Sequence, residues 1–149
     1  PHEINKSGLK KIESYLKNMN LDFKYYSNNI DNSRIVIIDK IGILADLYMY
    51  SDIAYIGAGF STGVHSVIEP AVYYNAISFG PKFEIVDFSI SLIENNLAMI
   101  INKTEDFVQF CELLEKKSIL EKLQLDLKNF IKNQPKASNE IINNIFYHD

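Results

Sequence analysis

The stretch Ile53-Ala54-Tyr55-Ile56-Gly57-Ala58-Gly59-Phe60-Ser61-Thr62-Gly63-Val64-His65-Ser66-Val67-Ile68-Glu69-Pro70 decides how this 149-residue chain is read. Four apolar, strand-prone residues give way to a loop with three glycines. The loop gives way to a run whose composition suits a helix start. Strand, glycine loop and helix form the unit from which parallel α/β sheets are built. Gly57, Gly59 and Gly63 allow a sharp turn and let a ligand approach the backbone without interference from a Cβ. Their spacing matches neither the dinucleotide fingerprint nor the phosphate-cradling Gly-Lys-Ser loop, which counts against nicotinamide enzymes and P-loop ATPases. Ordinary turn geometry explains three such glycines as readily as binding does.

The same alternation continues on both sides of this stretch. Upstream, Leu9, Ile12, Tyr15, Leu16 and Met19 recur at helical spacing and predict a helix that ends near Asn20. Phe23 to Tyr26 and Arg34 to Asp39 are short strand-prone runs, the second almost wholly apolar as in a strand covered on both faces. Gly42 opens a helical pattern through Tyr48. Downstream, the pattern predicts a helix from Ser66 to Tyr74, a strand at Ala76 to Phe79, a Gly80-Pro81 turn, a helix from Glu84 to Asn95 and a last strand at Leu97 to Ile101. Thr104-Glu105-Asp106 opens a helical tail that continues through Ser118 to Lys132, with a final helix opening at Ser138. The expected fold is therefore α/β, a Rossmann-like open parallel sheet with flanking helices and a helical C-terminal tail.

The chain is 47% apolar and 12% aromatic, enough for one domain with a core and too little for two ordinary ones. A net charge of -4 offers no generic attraction to nucleic acid or to an anionic membrane. Any anionic ligand must be held locally. The single Cys111 cannot form an internal disulfide and reads as a buried, inert thiol in a reducing compartment. The three histidines show no metal-ligand spacing, so no metal is expected. No window reaches the roughly 20 apolar residues of a membrane span. The chain begins at Pro1 directly before an apparent helix, which leads us to expect a piece of something larger.

In an open parallel sheet, ligands gather beyond the carboxyl ends of the strands, where loops enter helices with free backbone N–H groups. Three places qualify: Asp39-Lys40-Ile41-Gly42, Gly57 through Ser66, and Phe79-Gly80-Pro81. Glu69 has two readings. Ser66-Val67-Ile68-Glu69 fits a capping box, which residue type alone favours. A carboxylate at that helix start can also accept hydrogen bonds from a vicinal diol such as a ribose. His65 could donate to a phosphate or a sugar carboxylate, although a lone histidine more often packs a loop. Ile41 and Gly42 offer backbone groups and apolar cover suited to a base, or simply a helix start.

The order Asp39-x-Ile41-Gly42, Leu47-Tyr48, Ser51-Asp52-Ile53-Ala54-Tyr55-Ile56-Gly57, Gly63-x-His65-Ser66-x-x-Glu69-Pro70-Ala71 and Phe79-Gly80-Pro81 resembles the C-terminal domain of 3-deoxy-D-manno-octulosonic acid (Kdo) transferase. The resemblance runs from Pro1 to about Ile101. It implies the C-terminal half of a GT-B glycosyltransferase, which moves Kdo from CMP-Kdo to lipid A precursor in lipopolysaccharide biosynthesis. The reaction occurs at the cytoplasmic face of a bacterial inner membrane. By that resemblance Glu69 would hold the ribose, Ser66 and the helix start the phosphate, and Ile41 and Gly42 the cytosine. Gly63 and His65 would shape the pocket, with His2 at its far edge. No cofactor is implied.

Two positions depart from the family. Pro1-His2-Glu3 stands where Pro-Arg-His is common, so an imidazole replaces a bidentate guanidinium. Ser66 replaces an asparagine, keeping a hydroxyl but losing the reach of an amide. The family's acceptor site, membrane contact and acidic base belong to an N-terminal domain, so no catalytic residue is assigned here and the 149 residues are expected to form one donor-binding domain, inactive alone. An unpaired sheet edge would allow a homodimer. Two other classes fit the residues: another GT-B transferase or an epimerase using a UDP-sugar, and a non-catalytic α/β interaction module. The last predicts that replacing Glu69 changes only stability, by about 0.5–2 kcal/mol.

Overall fold

The helical repeat at the start of the chain forms α1, Lys6–Asn18, followed by β1, Lys24–Tyr25, and β2, Val36–Ile37. Architecture is taken from a computed structural model that describes residues 6–28, 32–61, 63–64 and 66–134. His2, His65 and the helix expected to open at Ser138 lie outside the described residues. The chain divides into two units, Pro1–Leu44 and Ala45–Asp149.

In the first unit β1 and β2 pair in parallel, Lys24 opposite Val36 and Tyr25 opposite Ile37. Their carboxyl ends are tied by Asp39, whose Oδ1 accepts from the Ser27 amide at 2.9 Å and whose Oδ2 accepts from the Ser27 hydroxyl at 2.5 Å. These bonds hold the Asp39 carboxyl below its usual range. The apolar stripe of α1 falls at the expected positions, yet none of its residues is buried, and Tyr15 is 65% exposed. α1 ends as expected, with Asn20 in the left-handed region at φ 53° and the Leu21 amide donating to the Leu16 carbonyl.

Across the unit boundary lie the four-residue helix α2, Leu44–Leu47, and a 3-10 turn at Tyr48–Tyr50. The second unit then repeats strand and helix: β3, Ile53–Ile56; α3, Ile68–Val72; β4, Ala76–Phe79; α4, Asp87–Glu94; β5, Ala98–Ile100. α5, Thr104–Cys111, and α6, Lys117–Asn133, follow. The three strands are parallel in the order β3-β4-β5, with Ile56 opposite Phe79 and Phe79 opposite Ile100. The parallel α/β class is as the alternation predicts; the strands form two sheets, one in each unit.

β4 is central and all four of its residues are buried. On one face Ile77 and Phe79 pack with Val64, Val67, Ala71, Leu92, Leu97 and Leu127, drawn from the glycine loop, α3, α4, the β5 approach and α6. On the other, Ala76 joins Ile101, Phe110 and Leu120. A central strand covered on both sides cannot alternate with polar residues, which is why Ala76 to Phe79 reads as an almost continuous apolar run. α3 and α4 end as α1 does. Tyr74 and Asn96 are left-handed at φ 60° and 56°, and the amides of Asn75 and Leu97 donate back to the carbonyls of Pro70 and Leu92.

Candidate functional site

The carboxyl ends of β3 and β4 place the Gly57-to-Ser66 loop beside Gly80-Pro81-Lys82. These loops meet backbone to backbone. A Cβ on Gly59 would lie 2.5 Å from the Gly80 nitrogen, and one on Gly80 would lie 2.6 Å from the Gly59 carbonyl carbon. The Lys82 amide donates to the Gly59 carbonyl at 2.9 Å, and the Val64 amide donates to the Lys82 carbonyl at 3.0 Å. Gly59 and Gly80 are thus required by each other rather than by a ligand. Gly57 has open space where a side chain would stand. Gly63 is required twice, by a left-handed φ of 98° and by Ile85, whose Cδ1 would lie 2.5 Å from an added Cβ.

The helix start differs from the capping-box expectation. α3 begins at Ile68 with Val67 as its N-cap in helical geometry, without a side-chain cap. Among the described residues Ser66 makes no hydrogen bond to Glu69, so the two side chains form no capping box. The cause is packing. Val67 is fully buried in the core below the loop, so the chain enters the helix one residue after the serine that could have capped it. Glu69 is exposed and, among the described residues, accepts no hydrogen bond.

Sequence assigns no site role to two residues that bear on Glu69, Tyr48 directly and Asn75 through Tyr48. The Tyr48 hydroxyl is pushed above its usual range, first by burial and second by the Glu69 carboxylate, which puts the phenol within electrostatic reach of that acid. Asn75 fixes the Tyr48 turn. Its side-chain nitrogen donates to the Tyr48 carbonyl at 3.1 Å and to the Ser51 carbonyl at 2.6 Å, while its oxygen accepts from the Ser51 hydroxyl at 2.8 Å. Ser51 and Asn75 stand 24 positions apart, so only topology brings them together.

Gly63, Ser66 and Glu69 therefore share one loop and helix start in the second unit. Ile41 and Gly42 belong to the first unit. Ile41 is 83% exposed and offers apolar surface rather than a packed wall. Gly42 is left-handed at φ 87° in a turn, and the helix starts at Leu44 rather than at this glycine. A hollow of about 860 Å³ at the amino ends of β1 and β2, lined by Asp22, Lys24 and Arg34 among others, is at the opposite strand ends from those expected to bind. Among the described residues no helix is long and apolar enough to cross a membrane, and no group of three His, Cys, Asp or Glu side chains could hold a metal ion.

Known proteins agree with this architecture. No protein-family model matches the chain. A bifunctional glycosyltransferase/methyltransferase of Fusobacterium nucleatum is 30% identical over 92% of the chain and 23% of its own length. The 3-deoxy-D-manno-octulosonic acid transferase of Rickettsia conorii is 28% identical over 91% of the chain and 31% of its own length, and that of Rickettsia prowazekii is 28% identical over 74% and 25%. Among solved structures, the C-terminal CMP-Kdo binding domain of WaaA from Acinetobacter baumannii superposes with a TM-score of 0.77 at 18% identity, over 89% of this chain and 72% of that one. The chain is thus related in sequence to glycosyltransferases, Kdo transferases among them, and shares the fold of the C-terminal domain of one. It spans between 23% and 31% of the length of these three relatives.

Proposed function

From this relation to Kdo transferases, we propose that the chain is the donor-binding part of a glycosyltransferase that moves Kdo from CMP-Kdo to lipid A precursor at the cytoplasmic face of an inner membrane. The observation that carries the reading is Glu69. An exposed carboxylate at the carboxyl edge of a parallel sheet, with its acceptor sites unspent on a helix cap, is suited to a ribose diol. Tyr48 stands close enough to feel its charge and supplies an aromatic edge to the same place. In this reading Ser66 and the loop amides serve the phosphate and Gly63 shapes the loop that holds it, while His65 and His2 are assigned to the donor by the family resemblance alone. Ile41 and Gly42, in the first unit, are assigned to the cytosine by the family resemblance alone.

Titration with CMP and with UDP tests the assignment, together with Glu69→Gln. CMP is expected to bind and UDP to bind much more weakly. Glu69→Gln is expected to weaken CMP by about tenfold, the loss of a charged hydrogen-bond partner. Because Glu69 caps nothing, its replacement is expected to leave the unfolding free energy within about 0.5 kcal/mol of the parent. UDP binding without CMP would transfer the reading to a UDP-sugar enzyme, and failure of both nucleotides would leave an interaction module.

A further inference from the structure

We infer that Lys82 is the cation that reads the negative charge of the donor, and so a specificity-determining residue of the site. The inference rests on the donor-binding reading above. The electrostatics of the site frame the problem. A sugar nucleotide such as CMP-Kdo brings a phosphate and a sugar carboxylate to a chain of net charge -4, beside the negative Glu69. α3 has five residues and no side-chain cap, so its dipole is a weak counter-charge. A positive side chain nearby would offset that charge.

Lys82 is the one lysine or arginine among the described residues of the loops that follow β3 and β4. Its backbone is fixed on both sides, the amide to the Gly59 carbonyl and the carbonyl to the Val64 amide. Its Nζ donates to the Ser61 carbonyl at 3.0 Å, which ties the ammonium to the glycine loop. A carbonyl satisfies one of three donors and none of the charge. Ion pairs join Lys17 to Glu13, Lys116 to Glu112, Lys117 to Glu121 and Lys122 to Asp126; Lys82 enters none of these. Lys82 is therefore an ammonium tethered to Ser61, with its backbone bonded to Gly59 and Val64 of the loop that leads to Ser66 and Glu69, and without a carboxylate partner among the described residues. Its chemistry suits a phosphate oxygen or a sugar carboxylate.

Titrations followed by nuclear magnetic resonance, with cytidine, CMP and CMP-Kdo, separate these sources on the parent chain, Lys82→Gln and Lys82→Arg. Glutamine removes the charge and keeps an N–H donor, one bond shorter than the lysine. Lys82→Gln is expected to weaken CMP-Kdo about tenfold, and Lys82→Arg to restore it to within about threefold, with cytidine unchanged in both. The CMP-Kdo loss should shrink as salt is raised. An equal loss for CMP assigns the phosphate as the partner, and an unaffected CMP assigns the carboxylate. Unchanged CMP-Kdo affinity in Lys82→Gln overturns the inference, as does a parallel loss of cytidine, which marks a purely structural lysine. A parent chain that binds none of the three overturns the donor-site reading itself.

Discussion

Asn75 and Ser78 are both buried polar residues of the segment that carries β4, and they have opposite consequences. Asn75 is 1% exposed and spends its amide on three hydrogen bonds to the Tyr48–Ser51 turn. Asn75→Ala would leave the Ser51 carbonyl without its 2.6 Å donor and remove the acceptor of the Ser51 hydroxyl, while the Tyr48 carbonyl keeps the Ser51 amide and hydroxyl. A loss of about 2–3 kcal/mol is expected in chemical denaturation. Ser78 is fully buried and its hydroxyl has no partner among the described residues. Ser78→Ala removes that unmatched group and is expected to be neutral or to stabilise by about 1 kcal/mol in the same measurement. Equal losses from the two substitutions would contradict the assignment of their hydrogen bonds.

At the scale of elements, the glycine loop is held by a close approach of backbones. Gly59→Ala would force a Cβ to within 2.5 Å of the Gly80 nitrogen, whereas Gly57→Ala meets nothing within 4 Å. The first is expected to cost about 1–3 kcal/mol and to loosen nucleotide binding, the second to change stability little. Thermal unfolding of the pair separates a glycine that serves packing from one that does not. In the other unit, Asp39 ties the ends of β1 and β2 through Ser27. Its folded pKa is lowered, so its contribution is complete above the ordinary aspartate value of about 3.9 and is lost as pH falls through the lower folded value. The Ser27 amide resonance is expected to shift in that acid window in the parent chain and to stay flat in Asp39→Asn. Strands and helix ends were legible because their causes are local: apolar runs for β3 and β4, and an asparagine able to turn left-handed after α1 and α4. The capping box was misread because Ser-x-x-Glu is a local signal, and the burial of Val67 in the core overrode it.

For the whole molecule, what could not be read from sequence is what long-range contact decides. Lys82 lies one residue past the Gly80-Pro81 turn that the sequence does mark, yet its relation to Ser61 spans 21 positions and exists only once β3 and β4 lie side by side. The same holds for Tyr48 and Glu69. In the proposed function these residues are assigned to binding and orienting the donor, and none of them to activating an acceptor hydroxyl. Sugar transfer needs donor and acceptor in line at near-contact distance, and much of its rate comes from that positioning. The chain is accordingly expected to bind CMP-Kdo while transferring no Kdo to lipid A precursor above the rate without protein. Product analysis by mass spectrometry, run beside the binding titration on one preparation, checks both halves. Binding without product supports a donor module that depends on further protein for the acceptor, while product formed by these 149 residues would place an acceptor site and a base within the chain itself.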